Sequence, residues 1–240
     1  MTPQATILYG DAWELSGQLE PASVDCIVTS PPYWNLRDYG HDGQFGLEKT
    51  PEEYVAKLVD LFARLRPALK DEGTVWLNLG DSYAGNVLAG PAQSEKTTMT
   101  GGRKDFEIPA RALCGEVASP DRQSCRYLPE SFGVVAAWGF RYVQMLVWVK
   151  PGPMPMAMPF APPATEFLLG CKRGRLPRLG SFPSSAMTIS QGLHSVKPSA
   201  FQDYIEQVSP GPYLEMFARR NRLGWDTWGN ECLEHVEVSP

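Results

Sequence analysis

Asp25-Cys26-Ile27-Val28-Thr29-Ser30-Pro31-Pro32-Tyr33-Trp34 is the stretch on which the reading of this chain turns. Val24 to Thr29 has the short apolar composition of a strand, and Ser30-Pro31-Pro32 ends it, because proline has no amide donor and a fixed φ. A buried strand therefore delivers a rigid polar turn and two aromatic rings to one edge of a sheet. In open α/β sheets, ligands gather at the carboxyl ends of strands.

Working outward from that strand, Ala5 to Tyr9 reads as a second short one. Thr50-Pro51-Glu52-Glu53 opens a helix with an N-cap, a proline at the first position and acids in the first turn. Apolar residues then recur from Tyr54 through Leu69, and Asp71-Glu72-Gly73 is expected to stop the helix. Further strands are predicted over Thr74–Leu79, Arg141–Val149, Thr165–Gly170 and Tyr213–Phe217, with helices over Leu128–Trp138 and from Lys197-Pro198-Ser199 to about Val208. This alternation predicts an α/β fold with a mainly parallel sheet. The 240 residues, 43% of them apolar, suit one sizeable core, so residues 1–240 are read as a single domain. A loop insertion rich in Gly, Ser, Thr and Pro is predicted at about 85–126; a loop of that length is usually functional or disordered.

The bulk properties exclude several classes. The five cysteines are scattered and never spaced C-x-x-C, so neither a disulfide framework nor a zinc cluster is signalled, and free thiols suit a cytoplasmic protein. The three histidines lack metal-binding spacing, and no P-loop occurs. The N-terminal residues lack the pattern of a signal peptide. Gly133 to Val149, the longest apolar stretch, is interrupted by Arg141 and Gln144 and is too short to span a bilayer, so no membrane role is expected. A formal charge of -5 argues against nonspecific coating of nucleic acid, which depends on phosphate neutralisation. Two basic groups, Lys172, Arg173, Arg175 and Arg178, then Arg219, Arg220 and Arg222, leave solvated surface and phosphate contact both open.

The turn has a definite chemical suitability. An exocyclic amine of cytosine or adenine is a poor nucleophile, because its lone pair is delocalised into the ring, so catalysis on it needs acceptors aimed at its hydrogens. Ser30 and the Pro31 carbonyl can provide them. The Tyr33 ring can stack on a base drawn out of the duplex, with Trp34 assisting.

Thr29 to Gly40, TSPPYWNLRDYG, resembles catalytic motif IV of the amino-group DNA methyltransferases that modify N4 of cytosine or N6 of adenine. Trp148-Val149-Lys150-Pro151-Gly152-Pro153-Met154-Pro155, followed by Thr165-Glu166-Phe167, resembles that family's W-x-K-P-x-P-M-P segment and the strand after it. The resemblance implies a Rossmann-like S-adenosylmethionine-dependent methyltransferase fold with permuted motif order, S-adenosylmethionine as cofactor and DNA as partner. It makes Ser30, Pro31, Pro32 and Tyr33 the catalytic set, with Ser30 also beside the cofactor. Trp34, Asn35, Arg37 and Lys150 are the expected substrate contacts. A Pro-Cys nucleophile for methylation at cytosine carbon is absent, in keeping with direct transfer to nitrogen.

The family's cofactor motif F-x-G-x-G is also absent. His194-Ser195-Val196-Lys197-Pro198, Leu214-Glu215-Met216-Phe217-Ala218-Arg219 and Gly224-Trp225-Asp226-Thr227-Trp228-Gly229-Asn230-Glu231 are instead similar to the closing half of the messenger-RNA adenosine N6-methyltransferase family, which lacks that motif too. By this resemblance Lys197 and Arg219 contact the methionine end or ribose of the cofactor, Asn221 lies nearby, and Asn230 with Glu231 holds the ribose. Asp11, after the first strand, falls where related enzymes grip the cofactor adenine. Ser30 inclines the target toward cytosine N4, whereas the C-terminal similarity inclines it toward adenine N6; cytosine is placed slightly ahead. A catalytically silent nucleic-acid-binding subunit with the same fold is the alternative of another class. A homodimer and a methyltransferase-like partner subunit are both open.

Overall fold

The computed structural model describes residues 7–8, 10–34, 38–78, 128–151, 164–175, 184–190, 197–229 and 232. Among these, β1 (Ile7–Leu8), α1 (Ala12–Ser16), β2 (Val24–Thr29), α2 (Pro51–Leu65), β3 (Leu69–Asn78) and α3 (Leu128–Ala137) form the first half. β4 (Arg141–Val149), β5 (Thr165–Lys172), β6 (Ala186–Thr188), α4 (Ser199–Val208), β7 (Tyr213–Met216) and β8 (Trp225–Trp228) follow. The strands make one sheet in the order β1-β8-β7-β2-β3-β5-β4-β6. β5 runs antiparallel to β3 and β4, and the other pairings are parallel. The arrangement is a Rossmann-like α/β fold with a mainly parallel sheet, with the proline turn early in the chain and β7 and β8 late.

Alternation along the central strands divides the core in two. Ile27, Val75, Leu77 and Leu169 face a cluster built with Leu58, Leu61, Phe62 and Leu65 of α2 and Val134 and Val135 of α3. Cys26, Val28, Trp76 and Leu168 face the other way, onto Phe201, Tyr204, Ile205 and Val208 of α4. The helical spacing of the α2 and α4 residues is what puts each set on one face. Each fully buried leucine contributes roughly 1.5–3 kcal/mol.

Several boundaries differ from the sequence expectation. α2 begins as predicted, with the Thr50 hydroxyl accepting from the Glu53 amide at 3.2 Å, but it ends at Leu65 rather than near Leu69. Pro67 cannot donate a continuing helical bond, and Leu69 is drawn into the sheet opposite Val24. Asp71-Glu72-Gly73 therefore lies inside β3 instead of terminating a helix. α3 closes at Gly139, whose φ of 76° suits glycine and turns the chain into β4. β7 stops one residue early because Phe217 takes a φ of 56°. The short elements α1, β6 and β8 were not anticipated: five, three and four residues are too few for a periodic signal. The predicted insertion at about 85–126 lies outside the described residues.

Candidate active site

The parallel strands bring the carboxyl ends of β1, β2, β3, β7 and β8 to one edge of the sheet. There a cavity of about 520 Å³ opens, lined by Gly10, Asp11, Ser30, Pro31, Pro32 and Tyr33, by Asn78, by Lys197 and Gln202, and by Glu215, Ala218, Arg219 and Gly229. The volume is within the roughly 300–1,000 Å³ of ligand pockets. β2 and β7 are neighbours at the point where successive connections diverge to opposite sides of the sheet, which is where α/β sheets bind ligands.

The proline turn is held from two sides. The Tyr54 hydroxyl of α2 donates to the Pro32 carbonyl at 2.9 Å. Gly46 packs so closely that a Cβ there would lie 2.8 Å from the Tyr33 carbonyl oxygen. The Tyr33 hydroxyl donates to Asn78 Oδ1 at 2.5 Å and accepts from Lys197 Nζ at 3.2 Å. The Glu166 carboxylate lies between Lys150 and Lys197, one oxygen on each ammonium. Burial pushes the Glu166 carboxyl up, but the Lys197 charge and the hydrogen bonds from both lysines outweigh it and hold the group below the usual carboxylate range.

The opposite wall is backbone-rich. The Ala218 amide donates to the Trp228 carbonyl at 2.7 Å, and a Cβ at Gly229 would fall 1.8 Å from the Ala218 carbonyl oxygen. A glycine thus provides close backbone approach even without a glycine-rich motif. The Glu215 carboxylate accepts from Gln202 Nε2 at 2.7 Å, and burial pushes it up to about 7 against the lowering effects of Gln202 and Arg222. Arg219 Nη2 donates to the Tyr39 hydroxyl at 3.1 Å, joining the wall to the loop after the proline turn. Phe45 of that loop meets Phe217 edge-on, with ring centroids 5.8 Å apart.

Of the residues singled out in the sequence, Asp11, Ser30, Pro31, Pro32, Tyr33, Lys197 and Arg219 share this cavity. Asp11 also caps α1, its carboxylate accepting from the Trp13 and Glu14 amides at 2.7 and 3.3 Å. Three others are outside the cavity wall. Trp34 packs on the α2 side of the core and donates through Nε1 to the Glu48 carbonyl at 2.9 Å. Lys150 is 7% exposed and engaged by Glu166. Asn221 accepts from the Thr227 hydroxyl at 3.4 Å. Asn35, Arg37, Asn230 and Glu231 lie outside the described residues.

Asn78 and Gln202 carry no signal in the sequence: Asn78 reaches the cavity at the end of β3 and Gln202 from α4. Glu166, Glu215 and Gly229 fall within the motif stretches, but their contacts with Lys150 and Lys197, with Gln202 and with Ala218 are not contained in those motifs. The basic groups also resolve in part. Arg222 bridges Asp203 and Glu206 at 2.8 and 2.6 Å, and Arg173 donates to the Leu69 carbonyl at 3.1 Å. Among the described residues, no helix is long and apolar enough to cross a membrane, and no group of three or more His, Cys, Asp or Glu could hold a metal ion.

Residues 24–209 match the N6/N4 DNA methylase family, and the chain belongs to that family. The type II methyltransferase M.SmaI of Serratia marcescens is 56% identical over 77 residues, 32% of this chain and 26% of that protein. The type II methyltransferase M.Cfr9I of Citrobacter freundii is 35% identical over 169 residues, 68% of this chain and 53% of that protein. The chain thus spans about half the length of M.Cfr9I. The crystal structure of an M1.HpyAVI–SAM complex shares the fold, with a TM-score of 0.55 at 17% identity, over 96% of this chain and 94% of that one.

Proposed function

We propose that this protein is a DNA methyltransferase that uses S-adenosylmethionine to methylate an exocyclic amino group, with N4 of cytosine ahead of N6 of adenine. The observation that carries the reading is that Ser30-Pro31-Pro32-Tyr33 lines one cavity with Lys197, Arg219 and Gly229.

The wall suits the cofactor chemically. S-adenosylmethionine carries a carboxylate, an ammonium and a sulfonium; Lys197 and Arg219 suit the anion, and Asp11 and Glu215 suit ammonium or hydroxyl groups. Gly229 and Ala218 both line the cavity, and the absence of a Cβ at 229 lets the two backbones meet there. When bound, the cofactor supplies an electrophilic methyl group. The chain's own contribution is to accept an extruded base on the Tyr33 ring and to direct the amine hydrogens toward Ser30 and the Pro31 carbonyl. Both acceptors draw electron density toward the nitrogen, so positioning and electrostatic stabilisation carry the rate. Burial pushes the Cys26 and Cys171 thiols up to about 12, so neither offers a thiolate nucleophile.

Serine at the head of the turn favours cytosine; the similarity of residues 194–198, 214–219 and 224–231 to the messenger-RNA adenosine enzymes favours adenine as the second reading. The test is incubation of the purified protein with unmethylated DNA and isotopically labelled S-adenosylmethionine, followed by nucleoside mass spectrometry. Labelled N4-methylcytosine is expected. N6-methyladenine alone would overturn the choice of base, and unlabelled DNA despite measured cofactor binding would favour a catalytically silent subunit.

A further inference from the structure

We infer that Asn78 is a positioning residue that sets the plane of the Tyr33 ring by accepting its hydroxyl proton at the buried end of β3. This rests on the proposed function, in which that ring is the platform for the target base.

The direction of each hydrogen bond follows from the partners. Asn78 Nδ2 donates to the Phe167 carbonyl at 3.0 Å, which only the amide nitrogen can do, so Oδ1 must be the atom facing Tyr33. The Tyr33 hydroxyl then donates to Oδ1 at 2.5 Å and uses a lone pair to accept from Lys197 Nζ at 3.2 Å. Asn78 is itself held on the sheet: it is 1% exposed, follows the fully buried Leu77 and pairs with Leu168 of β5. The orientation of a tyrosine ring is set by its two side-chain torsions, and a contact at the hydroxyl acts at the end of the ring farthest from the backbone. A hydrogen bond from that hydroxyl to a sheet residue fixes those torsions relative to the sheet before a base arrives. Lys197 reaches the same hydroxyl, but from outside the sheet and while shared with Glu166. Asn78 is thus the tether that strand register alone fixes.

The first experiment does not depend on turnover. With 3-fluorotyrosine placed at position 33, the fluorine spectrum of the otherwise unaltered protein should show one sharp environment, and Asn78→Ala should broaden or split it. An unchanged spectrum in Asn78→Ala overturns the inference.

The second experiment uses catalysis. Tyr33→Phe, which leaves the sheet untouched, and Asn78→Ala should each lower kcat about tenfold at saturating S-adenosylmethionine. The double variant should lose no more than either single one. Losses that multiply, or full activity in Tyr33→Phe, would overturn the inference. If Asn78→Ala does not fold, Asn78→Ser, whose shorter side chain lacks the amide oxygen that meets the Tyr33 hydroxyl, takes its place in both experiments with the same expected and overturning results. An unaltered protein that binds the cofactor but methylates no DNA refutes the proposed function instead, while the fluorine spectrum still decides the tether.

Discussion

Gly229 stands against Ala218 so closely that any β-carbon at 229 would fall 1.8 Å from the Ala218 carbonyl oxygen. The contact joins the end of β8 to the turn after β7, on the wall proposed to hold the cofactor. Gly229→Ala should force these segments apart, lowering stability by about 1–3 kcal/mol and weakening S-adenosylmethionine binding by about tenfold or more. Calorimetric titration alongside a denaturant melt measures both, and an unaltered affinity would contradict the assignment of this wall to the cofactor.

Gly46 presses on the other wall. Its φ of 96° and the 2.8 Å approach of a would-be Cβ to the Tyr33 carbonyl mean that Gly46→Ala strains its own backbone and displaces the proline turn proposed as catalytic. Strain of about 1–3 kcal/mol is expected, with methyl transfer to DNA reduced about tenfold or more. Single-turnover rates with saturating cofactor check it; a rate equal to that of the unaltered protein would show that the turn yields without consequence.

Glu166 balances two ammonium groups, so Glu166→Gln leaves Lys150 and Lys197 without their counter-charge. A loss of about 3 kcal/mol is expected at neutral pH. Because the folded-state carboxyl is held below its ordinary range, this stabilisation is present above the unfolded-state pKa and disappears as pH falls through the folded one. Urea melts at a series of pH values should therefore show the gap between the two proteins closing in acid; a constant gap would mean that the carboxylate charge contributes nothing.

Glu215 has the opposite sign. Burial pushes its carboxyl up to about 7, above its unfolded value, so its contribution is full below the unfolded pKa and is lost as pH rises through the folded one. Glu215→Gln should match the unaltered protein near pH 4.5 and exceed it in melting temperature above about pH 7. Parallel melting curves for the two proteins across that window would refute the elevated carboxyl.

Much of this could be read locally. The run Val24 to Thr29 became β2 with the predicted bounds, because a β-rich apolar run followed by two prolines leaves the chain few options. Thr50-Pro51 likewise set the start of α2. Leu69 misled because helical periodicity and pairing with Val24 compete for the same residue, and the sheet prevailed. Lys150 and Trp34 are motif residues whose polar groups are engaged by Glu166 and the Glu48 carbonyl, contacts that motif spacing does not contain.

By itself the sequence determined the proline turn, the alternation of strands and helices, and the residue types suited to an exocyclic amine, since each depends on neighbours a few positions apart. Only the tertiary structure decided what holds them in place. Tyr33 meets Asn78 across 45 residues and Lys197 across 164, and Gly229 meets Ala218 through the pairing of β7 with β8. Such contacts follow from strand order and register, which arise from burying both faces of the sheet at once and are written in no single segment.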